Sequence, residues 1–146
     1  MAISGVIPQL RTTDLQSSIR FYTTRLGLQL EFEHQDFYAG IRAGNQVFHL
    51  KLVDEKDPSI PFVEDGEHLH LYLTTTDVAA TAAALKANGV PLVKDVHDTP
   101  WGTREVVIRD DQARVEVTLI QTIDSKMLTV RTVHDKKQDI DPPNFP

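Results

Sequence analysis

One local pattern occurs twice in this chain, and the duplication limits its fold more than any other feature. The first copy runs from an apolar strand at residues 6–10, through Thr12-Thr13-Asp14-Leu15 and a helical stretch, to the stop Leu26-Gly27-Leu28. The second runs from residues 69–73, through Thr75-Thr76-Asp77-Val78 and a helical stretch, to Asn88-Gly89-Val90. Aspartate and glycine stand 13 residues apart in one copy and 12 in the other. Asp14 and Asp77 occupy the place of an N-cap, where a carboxylate accepts from the free N–H groups of a first helical turn. Gly27 and Gly89 occupy the place where a left-handed residue ends a helix. Leu15, Ile19, Tyr22 and Leu26 recur at three- and four-residue spacing, the mark of a buried helical stripe. The second helix, Val78–Ala87, is rich in alanine, so close packing is expected of it.

Three strand-like runs follow each helix. They cover residues 28–34, 37–42 and 47–53 in the first copy and 90–96, 104–109 and 114–120 in the second. The plan is βαβββ, twice. The expected class is α+β, with two tandem modules forming a curled mixed sheet around a cleft and helices on the outer face. Residues 1–53 form the first module, 54–66 a linker, 67–122 the second module and 123–146 a tail or arm. The tail ends in Asp141-Pro142-Pro143-Asn144-Phe145-Pro146, which extends neither a sheet nor a helix. Met127, Leu128, Val130 and Val133 would let it pack on a partner.

Composition removes several functions. The absence of cysteine excludes disulfide scaffolds, thiolate zinc sites, iron–sulfur clusters and a cysteine nucleophile. Fifteen Lys+Arg against 21 Asp+Glu give a net charge of −6, with no basic run, which disfavours nucleic acid. No secretory signal pattern and no apolar run of about 20 residues is present, so a cytoplasmic protein with no membrane span is expected.

Strand alternation sorts the side chains. Phe48, Leu50 and Leu52 share one face; His49 points the other way. Leu69, Leu71 and Leu73 share one face, against His68, His70 and Tyr72. Val115, Val117 and Leu119 share one face, against Glu116 and Thr118. The aliphatic faces should pack on the helices, leaving two imidazoles and a carboxylate on the opposite side. A lone strand histidine is more often hydrogen-bonded than metal-bound. Here, however, the repeat makes Ile7, His49, His70 and Glu116 four pseudo-equivalent positions, three of them able to ligate a metal.

Asp14-Leu15-Gln16-Ser17-Ser18-Ile19-Arg20-Phe21-Tyr22 with Leu26-Gly27-Leu28 resembles the vicinal oxygen chelate superfamily, the glyoxalase, bleomycin resistance and extradiol dioxygenase group. Asp77-Val78 with Ala87-Asn88-Gly89-Val90 resembles it too, as does Pro100-Trp101-Gly102-Thr103-Arg104-Glu105 followed by Asp110 and Glu116. The resemblance covers about residues 5–120. It implies a metal held at Ile7, His49, His70 and Glu116, of which Ile7 cannot ligate. The family's usual Asp-Pro-Asp-Gly turn is replaced by Asp110-Asp111-Gln112-Ala113, which bears on the register of Glu116. The Pro-Trp-Gly segment resembles the antibiotic-resistance branch, in which a dimer sequesters a drug without chemistry.

Two functions compete. In the first, a homodimer encloses a small-molecule cleft without metal. Trp101 offers a flat surface there, Arg104 meets an anionic group, and His68 and Tyr72 line the wall. In the second, the chain is a lyase, isomerase or dioxygenase. His49, His70 and Glu116 then hold one divalent ion (Fe, Mn, Ni or Zn), to which a substrate chelates through vicinal oxygens. A partner-binding module using the tail ranks third.

Overall fold

The computed structural model describes residues 1–66, 69–112 and 114–123. The first module contains β1 (Gln9–Thr12), α1 (Leu15–Arg20), a π-helical turn (Phe21–Arg25), β2 (Gln29–His34), β3 (Tyr38–Ala43) and β4 (Gln46–Leu52). After α2 (Ser59–Gly66), the second contains β5 (His70–Thr74), α3 (Val78–Ala87), β6 (Lys94–Asp98), β7 (Thr103–Arg109) and β8 (Glu116–Thr122). The strands form two mixed four-stranded sheets, ordered β1-β4-β3-β2 and β5-β8-β7-β6. In each, the first strand of the module pairs in parallel with the last, and the other pairings are antiparallel. The architecture is α+β, two βαβββ modules in tandem.

The helix signals act as the sequence implies. Asp14 Oδ1 accepts from the N–H of Ser17 at 3.0 Å, and Asp77 Oδ1 from that of Ala80 at 3.0 Å. Gly27 and Gly89 have φ of 73° and 77°, the left-handed region that glycine enters without strain. α1 packs on β3 and β4, and α3 on β6, β7 and β8. Leu15, Tyr22, Ile41 and Leu50 of the first module join Val78, Leu85, Ile108 and Val117 of the second in one hydrophobic cluster.

Boundaries shift where backbone chemistry overrides hydropathy. The first strand begins at Gln9, because Pro8 has no N–H to donate to a ladder. Val6 and Ile7 lie outside it and are exposed. Pro91 similarly delays β6 to Lys94. The segment at 54–66 carries the helix α2 rather than only loop. The first helix also leaves α-geometry, since Leu26 N–H donates to the Phe21 carbonyl five residues back at 3.1 Å.

The unusual turn before β8 clasps the two modules. Asp111 accepts from the hydroxyls of Ser17 (2.7 Å) and Ser18 (3.2 Å). Gln112 Oε1 accepts from Thr12 Oγ1 at 3.1 Å, and Arg114 donates to Thr13 Oγ1 at 3.0 Å. At the other end of the seam, Arg25 donates to the Asn88 carbonyl (2.9 Å) and Asn88 to the Arg25 carbonyl (3.2 Å).

Candidate functional site

Each sheet packs one face in the core; the opposite face is open at Phe32 on the first sheet, while on the second Thr103, Glu105, Val107 and Thr118 are buried. On the first sheet, register sets Gln9 beside His49 and His49 beside Gly40, with Phe32 across from Gly40. Gln9 Nε2 donates to Tyr38 Oη at 3.1 Å, and Tyr38 Oη lies 2.9 Å from His49 Nδ1. With Gln9 donating to Oη, the phenol can donate to Nδ1 when the imidazole carries its proton on Nε2, whereas a proton on Nδ1 would be donated to Oη instead. Phe32 stacks on Tyr38 at 6.2 Å between centroids and meets His49 edge-on at 5.3 Å. Gly40 makes room for this ring, since a Cβ there would collide with it. Phe32 is 39% exposed, so the aromatic cluster is an open surface rather than core.

The second sheet presents different chemistry. His70 pairs with Glu116, and its Nδ1 is 3.2 Å from Glu116 Oε1. The angle does not make a hydrogen bond, so this shielded nitrogen has no hydrogen-bond partner among the described residues. Tyr72 stands beside Thr118, without a well-formed bond to its shielded hydroxyl. Burial, and then the charges of Glu105 and Glu116, push the Tyr72 phenol up to about 12. Glu105 is 3% exposed and accepts from Thr103 Oγ1 at 2.8 Å.

Register corrects the pseudo-equivalence of the two modules. Thr12 and Thr75 both precede the capping aspartate by two residues, and both contact the hydroxyl six residues on, Ser18 and Thr81. Thr12 pairs with Leu52, and the Thr75 N–H donates to the Ile120 carbonyl, which sets Thr75 opposite Gln121. Counting back, His49 corresponds to Thr118, Gln9 to Tyr72 and Tyr38 to Glu105. Glu116 corresponds to Val47, and His70 to Ile7. Val47 and Ile7 cannot ligate.

This arrangement tests the metal set. His70 and Glu116 are brought together as two plausible donors. His49 belongs to the other sheet, and its Nδ1 faces a phenol. A ligating imidazole usually donates from its second nitrogen to an oxygen acceptor, a place the Tyr38 hydroxyl can fill. Among the described residues, no three His, Asp or Glu side chains stand close enough together to hold a metal ion. One chain therefore fits part of a divalent site only.

Of the other predicted residues, Trp101 sits half-buried in the β6–β7 turn. Arg104 lies on the same side of β7 as buried Val106 and Ile108, opposite Glu105, and pairs with Asp98 at 2.7 Å. It therefore does not join Tyr72 and His70 on the opposite face. His68 lies outside the described residues, as does the tail beyond Ile123. Sequence reading missed Phe32, Tyr38, Gln9 and Glu105. Alternation through β2, β3 and β7, with Gly40 opposite an aromatic, was the available signal.

Comparison with known proteins agrees with the architecture. The sequence pattern of the Glyoxalase/Bleomycin resistance protein/Dioxygenase superfamily matches residues 6–117. The chain belongs to this superfamily. No curated protein matches the sequence. Solved relatives share the fold at low identity. The bleomycin-binding protein from bleomycin-producing Streptomyces verticillus, complexed with copper(II)-bleomycin, has a TM-score of 0.62 and 21% identity over 82% of this chain and 96% of its own. Lactoylglutathione lyase from Agrobacterium tumefaciens has a TM-score of 0.62 and 20% identity over 83% and 96%. A glyoxalase/bleomycin resistance protein/dioxygenase from Nocardioides has a TM-score of 0.67 and 18% identity over 86% and 88%. The superfamily thus includes both binders and enzymes. Among the described residues, no helix is long and apolar enough to cross a membrane.

Proposed function

We propose that this chain is a small-molecule-binding protein of the glyoxalase/bleomycin resistance type, whose ligand sits in a cleft completed by a second copy. The carrying observation is the open aromatic cluster of Phe32, Tyr38 and His49, ordered by the Gln9 hydrogen bond. It offers ring faces for stacking and an imidazole for hydrogen bonding, the combination a flat polar ligand needs. Every residue of β2 is exposed, including Leu30 at 43%, so this sheet leaves apolar surface for a second copy to cover. Trp101 and Tyr72 would line the second module's share of the wall. The cytoplasm is the proposed setting.

A second reading rests on one contact, the unpartnered His70 nitrogen beside Glu116. In that reading a partner copy supplies the missing donors. The bound divalent ion would act as a Lewis acid for a lyase, isomerase or dioxygenase.

One preparation separates the two. The chain is purified without chelator or added metal, sedimented for its mass, assayed for Fe, Mn, Ni and Zn, and screened with planar aromatic compounds and with bleomycin by Trp101 fluorescence. The binding reading predicts a dimer, substoichiometric metal and saturable quenching, weakened about tenfold or more by Phe32→Ala or Tyr38→Ala. Stoichiometric metal that disappears in His70→Ala and Glu116→Gln would overturn it in favour of the enzyme.

A further inference from the structure

A cavity of about 690 Å³ lies along the seam between the modules, lined by none of the candidate site residues named above. The helical side supplies Ser17, Arg20, Phe21 and Arg25; the other side supplies Val90 and Val93. Its volume falls in the range of small-molecule sites. The π-helical turn explains why both arginines line it. In an α-helix, residues five apart point about 140° away from each other. A turn closed by i→i+5 bonding brings them back to nearly one face. The π turn spans Phe21–Arg25, the interval that separates the two guanidinium groups.

Among the described residues, Arg20 and Arg25 have no direct carboxylate partner, and Arg109 adds a third cation to the lining. Arg25 is held in place by one bond from Nη1 to the Asn88 carbonyl, and it lies along Gly89, where a Cβ would sit 3.5 Å from the same nitrogen. Its remaining donors are unengaged and pre-positioned. Two carboxylates also border the cavity, Asp111 engaged in the clasp and Asp110 in the backbone of its own turn. Asp111 accepts from Ser17 and Ser18, and Asp110 Oδ1 from the N–H groups of Gln112, Arg114 and Val115. The opposite side is apolar, with Val90, Pro91 and a 51% exposed Val93, and Phe21 adds an aromatic ring on the helical side.

We infer that this seam cavity is a binding site for an amphiphilic organic anion, a carboxylate on a compact apolar body, with the charge on Arg20 and Arg25 and the body against Phe21, Val90 and Val93. This site is independent of the ligand cleft proposed above. Its location next to the clasp lets an occupant bear on the packing of one module against the other.

Benzoate is a suitable probe, with benzyl alcohol as its neutral counterpart and inorganic phosphate as an anion without an apolar body. Backbone amide shifts of the full chain locate each. The inference predicts saturable benzoate shifts at Gly89, Val90 and Val93, weakened about tenfold or more in Arg20→Gln and further in Arg20→Gln/Arg25→Gln. Arg20→Gln alone leaves the Arg25–Asn88 seam intact, so it reads the charge without the fold. No shift at the seam, or equal benzoate affinity in both variants, would overturn the site. Equally tight benzyl alcohol or phosphate would overturn the ligand class.

Discussion

The two modules share their caps, their core and their strand order, but the sheet faces opposite the core carry different residues. In the first, Gln9, Tyr38 and His49 form a closed hydrogen-bond chain beneath Phe32. At the corresponding places the second has Tyr72, Glu105 and Thr118, with an unpartnered phenol and a buried carboxylate. Gly40, which admits the Phe32 ring, corresponds to Val107. Conversely, His70 and Glu116 correspond to aliphatic Ile7 and Val47. The capping and core residues are alike in both halves; those on the opposite sheet faces are not. A cleft of the kind proposed, built from one face of each, would be asymmetric and would suit a ligand with an aromatic end and a polar end.

The largest effect should test the shared part. Leu50 and Leu119 occupy corresponding core positions and are 1% and 5% exposed. Leu50→Ala and Leu119→Ala should each cost about 2–5 kcal/mol in denaturant unfolding. A loss in one module only would mean that the core is not shared between the two.

Gly40→Val installs the second module's residue in the first. The Phe32 ring must swing away, and the overpacking should cost about 1 kcal/mol. Aromatic NMR shifts of Tyr38 and His49 would report the displacement. Unchanged shifts would show that Gly40 is not what seats the ring.

The caps should behave as equals. Asp14→Ala and Asp77→Ala each remove one N-cap bond, and each should cost about 1 kcal/mol in thermal or denaturant unfolding. A cost confined to one of them would mean that only one helix depends on its cap.

The smallest effect concerns a group unique to the second face. The Tyr72 phenol is raised in the fold from about 10 to about 12. Its contribution to stability is therefore complete below pH 10 and is lost as pH rises towards 12. The stability difference between the native chain and Tyr72→Phe should shrink over that window and stay flat below it. A difference independent of pH would remove the burial and the Glu105 and Glu116 repulsion from the account.

These contrasts also mark what the sequence made legible. Capping aspartates, terminal glycines and alternating strands are local signals, and they placed both modules, the α3 helix and His49, His70 and Glu116 on the sheet faces opposite the core. Pro8 and Pro91 moved two strand starts because hydropathy does not register a missing N–H. The metal set depended on which residues pair across strands far apart in the chain. A shift of two residues exchanges Thr118 for Glu116 without changing the face, so alternation alone could not distinguish them. The clasp was hidden for a similar reason, since Gln112 and Thr12 are 100 positions apart.

The first face is the centre of the account, and the proton on His49 reports on it directly. Long-range nitrogen–proton NMR of the imidazoles identifies the tautomer without knowledge of the ligand. The account predicts that added zinc leaves both nitrogen shifts of His49 in place. A proton on Nδ1, with Nε2 shifting as zinc is titrated in, would contradict it.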